Sequence, residues 1–161
     1  MSYPATQNIN QFQQQPVLGQ TSLALQPNVV TGIFNPSAAK PALTVGQVVK
    51  LVSVEGSNII VDIAGAGDQP FGVVLYNAKK NSHGKGEAVE IGLFGTAVYL
   101  KASAAVEAGK ALDFDNDTVT VKEAVASGRN LGFALSKCAT ANNLVLVYIT
   151  APVGSYPVPA A

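Results

Sequence analysis

Leu131-Gly132-Phe133-Ala134-Leu135-Ser136-Lys137-Cys138 is a short apolar run with a glycine at its start, and it has a twin earlier in the chain, Phe71-Gly72-Val73-Val74-Leu75-Tyr76-Asn77-Ala78. A glycine that opens an apolar strand marks a bulge, a bend or a close backbone approach. Two copies predict that one bend is made twice. The likeness extends upstream, where Val45-Gly46-Gln47-Val48-Val49-Lys50-Leu51 corresponds to Ala108-Gly109-Lys110-Ala111-Leu112-Asp113-Phe114. A turn follows each (Glu55 to Asn58, Asp115 to Asp117), then an alternating strand (Ile59 to Ile63, Thr118 to Lys122). Downstream, Ala97 to Leu100 lies after the first twin and Leu144 to Ile149 after the second. Residues 43–150 therefore read as two diverged copies of one β-unit.

Working outward, short β-type runs separated by Gly, Asn and Asp clusters predict an all-β fold, a compact, β-tulip-like sandwich or barrel. Val48 to Val54 and Ile59 to Ile63 form an expected hairpin, and Glu87 to Leu93 with Thr96 to Leu100 a second one. Ala102 to Glu107 reads as one helical turn ended by Gly109, and Lys79 to Gly86 as an exposed polar loop.

Residues 1–42 differ in kind. They carry Pro4, Pro16, Pro27, Pro36 and Pro41, a Gln-rich run and one charge, Lys40. Spaced prolines forbid a long helix or a central strand. Yet Tyr3, Phe12, Leu18, Leu23, Leu25, Val29, Val30, Ile33 and Phe34 give the segment more apolar character than a disordered tail has. The reading is an extended arm ordered by lying on another protein surface, those nine residues being its candidate contacts. Residues 151–161, with Pro152, Pro157 and Pro159, form an expected polyproline-like tail.

Ten basic side chains balance ten acidic ones, which argues against nucleic acid as the main partner. Charged residues are 12% of the chain, about half the usual share, so much of the surface is uncharged or buried against something. Oligomer or larger assembly is the natural reading. No apolar run approaches the roughly 18 residues that span a bilayer, and the first residues lack the pattern of a signal peptide. Synthesis in a cytosol without export by the usual route is expected.

Chemistry finds little support. His83 and Cys138 are each the sole residue of their type. A nucleophile–base pair between them would need a buried thiol to meet an exposed loop. Gly84-Lys85-Gly86 lacks the Ser or Thr and the glycine spacing of a phosphate loop. Asp113, Asp115 and Asp117 alternate as in a calcium loop, but Thr118 stands where that loop requires glycine and Ala124 where it requires Glu. A tight turn accounts for them better. No catalytic, cofactor-binding or metal site is expected.

The order Gly46 to Leu51, then Phe71-Gly72-Val73, then Gly86 to Val98, with Ala108 to Phe114 and Leu131 to Leu135, resembles the small β-rich decoration, or cement, proteins on the heads of tailed bacteriophages. The resemblance covers residues 43–150. It implies a non-enzymatic virion protein on the outer capsid surface, assembled in the host cytoplasm. The partners it implies are the major capsid protein and further copies of itself, as a homotrimer. A head fibre or receptor-contact module binding host glycans, through exposed aromatics and the Lys79 to Gly86 loop, is the alternative. A small hydrolase using His83 or Cys138 is the third.

Overall fold

The structure, a computed structural model, describes residues 16–22, 25–36, 42–125 and 130–151. Its strands are β1 (Val29–Phe34), β2 (Leu43–Thr44), β3 (Val48–Glu55), β4 (Asn58–Ile63), β5 (Gly72–Val74) and β6 (Ser82–His83). They continue as β7 (Ala88–Gly92), β8 (Ala97–Lys101), β9 (Ala111–Asp115), β10 (Thr120–Glu123), β11 (Gly132–Ala134) and β12 (Leu144–Ile149). Strands β9 and β12 alternate buried and half-buried residue by residue, the period-2 pattern of a sheet with one face in a core.

The first barrel closes in the order β1-β4-β3-β5-β7, because β1 pairs in parallel with β4 and antiparallel with β7. The second sheet runs β10-β9-β11-β12-β8, and its two edges meet at one parallel bridge, Ala102 to Val121. Strand β8 thus holds in the second unit the place of β1 in the first. The hydrogen bonds repeat in register. Phe71 N–H donates to Val49 C=O at 2.8 Å and Leu131 N–H to Leu112 C=O at 2.9 Å. Gly46 N–H donates to Val74 C=O at 2.9 Å and Gly109 N–H to Ala134 C=O at 2.7 Å. Asn35 N–H donates to Val61 C=O at 3.0 Å and Ser103 N–H to Val121 C=O at 2.9 Å.

The correspondence of Val45 to Leu51 with Ala108 to Phe114, and of the glycine twins, therefore holds in space. Its outer limits do not. The repeat is β1 to β7 followed by β8 to β12, so the first copy opens before residue 43. The counterpart of Leu144 to Ile149 is Ala88 to Gly92, not Ala97 to Leu100. The expected hairpin between β7 and β8 is absent: a turn does form, with Thr96 N–H on Leu93 C=O at 3.0 Å. Beyond it, however, β7 pairs with β1 and β5 while β8 pairs with β12. The expected helical turn at Ala102 to Glu107 is also absent, since Ala102 and Val106 are committed to bridges with Val121 and Cys138.

The described part of the leader belongs to its own chain's fold, which corrects the extended arm over residues 16–36. Val29, Val30, Ile33 and Phe34 lie in β1, and Phe34 is 1% exposed in the first core with Leu43, Val49, Val61, Val74, Val89 and Ile91. Burying such a side chain stabilises by about 1.5–3 kcal/mol, which outweighs what proline spacing alone suggested. Leu18 packs against the second core. Thr21 bridges Val98, with Ser22 N–H on Ala97 C=O at 2.8 Å. Leu25 is exposed; Tyr3, Phe12, Leu23 and the tail from 152 lie outside the described residues.

Both twin glycines sit where backbone passes close. A Cβ on Gly132 would lie 1.9 Å from the Tyr148 carbonyl oxygen, and one on Gly72 would lie 2.6 Å from that of Gly92. Strand β5 is buried on both sides because Val74 fills the first barrel while Val73, with Val48 and Leu75, turns outward into the second core. The two barrels share that joint.

Candidate functional site

One side chain makes three hydrogen bonds across the joint. Asn116, in the β9–β10 turn, accepts from Val48 N–H at 2.8 Å and donates to the carbonyls of Val48 and Ala64, both at 2.7 Å. Gln47 adds a bond from its amide to Asn116 C=O at 3.2 Å. The turn exists because Asp115 folds back on itself, its carboxylate accepting from Asp117 N–H at 2.9 Å. Burial pushes the Asp115 carboxyl up, but the Asp117 and Thr118 donors outweigh it and leave it below its ordinary value. These aspartates thus make the predicted turn. Among the described residues no group of three His, Cys, Asp or Glu is placed to hold a metal.

His83 and Cys138 stand at matching places in the two repeats, His83 bridged to Leu43 and Cys138 to Val106. They therefore belong to different repeats, and the Cys138 thiol bonds to Thr140 rather than to the imidazole. His83 is 4% exposed rather than on an exposed loop, because β6 docks Ser82 and His83 on β2. The Cys138 thiol is buried and donates to Thr140 C=O at 3.1 Å. In the loop around β6, Glu87 binds Lys80 and accepts from Gly84 N–H. Lys80 first, and that amide second, hold the Glu87 carboxyl below its ordinary value.

The cross-strand charges are mirrored between repeats. Lys50 faces Asp62 in the first, and Asp113 faces Lys122 in the second. Asp68, bonded to Lys50 at 2.9 Å, is the main cause of the raised lysine pKa.

The depressions are small and shallow. One, of about 220 Å³, lies between Ala64 to Ala66 and the Asp113 to Asp117 turn; another, of about 210 Å³, is lined by His83, Thr31, Asn77 and Glu90. The surface is more informative. The β3–β4 hairpin exposes Leu51, Val52 and Val54, with Val54 at 61%. On the outer side of the second barrel, Tyr148 stacks on Phe133 (centroids 5.1 Å apart) and meets Phe94 edge-on at 6.2 Å. Leu135 lies exposed at the end of β11. These are exposed apolar patches, the kind of surface that protein–protein contacts use. Sequence reasoning named none of them as binding residues, since the exposure of Leu51, Val52 and Val54 on β3 and the meeting of Phe94, Phe133 and Tyr148 are set only by the folded chain.

The model of the phage cement protein family matches residues 36–149, which hold β2 to β12. No curated protein matches the sequence. Among solved structures, the chain is similar to the head fiber gp8.5 N base of bacteriophage phi29, with a TM-score of 0.53 and 15% identity over 78% of this chain and 95% of that one. A likeness at that identity carries the architecture alone.

Proposed function

This chain belongs to the phage cement protein family and is a structural protein of the phage head, and we propose that it binds the outer surface of the assembled capsid and braces neighbouring major capsid proteins. The observation that carries the reading is the family match, which runs from residue 36 to 149 and takes in every strand but β1. The charge-poor composition and the exposed apolar surfaces support it. The mechanism is mass action. A protein that binds the assembled lattice and not free subunits lowers the free energy of the lattice by RT ln(1 + L/Kd) at each site, with L its free concentration. Several copies joined as a homotrimer multiply the effective affinity. Residues 1–15, with Tyr3 and Phe12, extend the contact with the coat.

The test is to add purified protein to heads that lack it and, separately, to isolated coat subunits. Saturable pelleting with heads alone, and a raised temperature of head disruption, are expected. No pelleting with heads at high micromolar concentration removes the cementing role. A chain lacking residues 1–15 should pellet more weakly; undiminished pelleting removes the leader from the contact. Contact with host glycans keeps one support, the fold likeness to a fibre base, and specific binding on a glycan array would transfer the reading to that role.

A further inference from the structure

The first barrel carries a cleft that its own fold leaves unused. Thr31 of β1 and Glu90 of β7 are direct cross-strand partners, and both stand exposed. Two depressions meet at Glu90. The one of about 210 Å³ takes in Thr31 and His83. The other, of about 240 Å³, lies between the leader at Gly19 to Thr21 and the side chains of Val29 and Tyr76. Leu75 lines both as well, so the two adjoin as one cleft, apolar toward Val29 and polar toward His83.

The polar end is rich in acceptors and has no cation. His83 is 4% exposed, and its Nδ1 is buried without a hydrogen-bond partner. Such an atom is an exception in folded proteins and marks a place that something from outside the chain completes. Glu90 makes no ion pair among the described residues. No Lys or Arg lines either depression. Lys79 and Lys80 line a separate one that shares Asn77, and Lys80 is held by Glu87.

An apolar wall that leads to a lone carboxylate fits a long side chain with a cationic head, whose stem packs on apolar surface while its charge is met at the tip. Arginine matches the acceptors better than lysine. Its planar fork of five donors serves a carboxylate and further acceptors together, whereas an ammonium is a compact point charge. We propose that this cleft receives an arginine side chain of a coat subunit. The stem lies along Leu75 and Val29 beside Tyr76, and the guanidinium donates to the Glu90 carboxylate and the Thr31 hydroxyl, with His83 Nδ1 at the deep end. The coat as source of the arginine rests on the cementing reading; the site itself does not.

The test titrates Nα-acetyl-arginine amide into the full chain while NMR follows the ring nitrogens of His83, the sole histidine. Nα-acetyl-citrulline amide, of the same shape without the charge, is the control. A saturable shift with a Kd on the order of millimolar is expected for the arginine probe. Binding about tenfold weaker is expected for citrulline, and for arginine with Glu90→Gln. Glu90 is exposed, and circular dichroism checks that the variant is folded; Thr31→Val replaces it if it is not. No shift, an equal response to citrulline, which would mean a cleft that merely holds water, or an unchanged response in the variant overturns the proposal. In pelleting with heads, the variant should bind about tenfold more weakly than wild type. Undiminished pelleting of the variant overturns the coat arginine. A wild type that does not pellet at all strikes the cementing reading instead, a result that the titration does not share.

Discussion

Replacing Asn116 with alanine is the sharpest probe of how the two barrels hold each other. The change removes three hydrogen bonds, from Val48 N–H and to the carbonyls of Val48 and Ala64. Val48 and Ala64 are each 1% exposed, so the groups left behind meet little water. At about 1 kcal/mol net per bond the loss is about 3 kcal/mol, and it falls to about 2 if a water enters the vacated space. With a urea slope of about 2 kcal/mol per molar, the unfolding midpoint should drop by about 1–1.5 M. Asn116→Asp should cost at least as much: it keeps the acceptor for Val48 N–H but sets a carboxylate against two carbonyl oxygens. Hydrogen exchange at Val48 N–H should quicken most in the alanine variant, which alone removes its acceptor. A midpoint shift below about 0.3 M, or an aspartate variant as stable as wild type, would refute the assignment of the joint to this side chain.

Gly132→Ala should destabilise by about 3 kcal/mol, because its Cβ would meet backbone at 1.9 Å. Gly86→Ala, with φ +83° and nothing within 4 Å, should cost only about 1 kcal/mol of left-handed strain; urea midpoints compare the two, and equal losses would contradict the close approach at β11. The carboxyl of Glu87 is depressed, so its contacts with Lys80 and Gly84 hold at pH values above the ordinary glutamate range and are lost as pH falls through the lowered value. A titration of the Gly84 amide chemical shift should accordingly have its midpoint below 4.5. Cys138, at 3% exposure, should resist thiol labelling in the folded protein and react fully once urea unfolds it.

The repeat was legible where it is carried by local chemistry. Gly46 and Gly109 both take positive φ, +86° and +83°, before β3 and β9, and Gly72 and Gly132 both meet a neighbouring backbone. Such positions tolerate few residues, so a pattern survives in the chain. Strand β1 left no such mark. Val29 to Phe34 is apolar but for Thr31, and only its pairing with Ile59 to Val61 and with Ala88 to Gly92, far along the chain, shows that Phe34 is core rather than a contact for another protein. Residues 93–96 misled for the opposite reason. The turn is real, but whether flanking strands pair depends on partners elsewhere, and β12 holds β8 along five residue pairs. The apolar contact surfaces were hidden because exposure of Leu51 and Leu135 is a property of the assembled barrels; their counterparts Phe114 and Leu75 are just as apolar and are buried.

The stitch between Thr21 and Val98 has a consequence for how the chain is made. Thr21 leaves the ribosome first and must wait for roughly 80 more residues, on the order of 4–16 s at about 5–20 residues per second. For that interval Leu18 has no second barrel to cover it, and every strand of the first barrel has been made before β12 exists. The nascent first barrel therefore spends seconds with its Val48, Val73 and Leu75 side wet, a window in which a chaperone, or a neighbouring nascent chain, can reach a surface that the finished protein never shows.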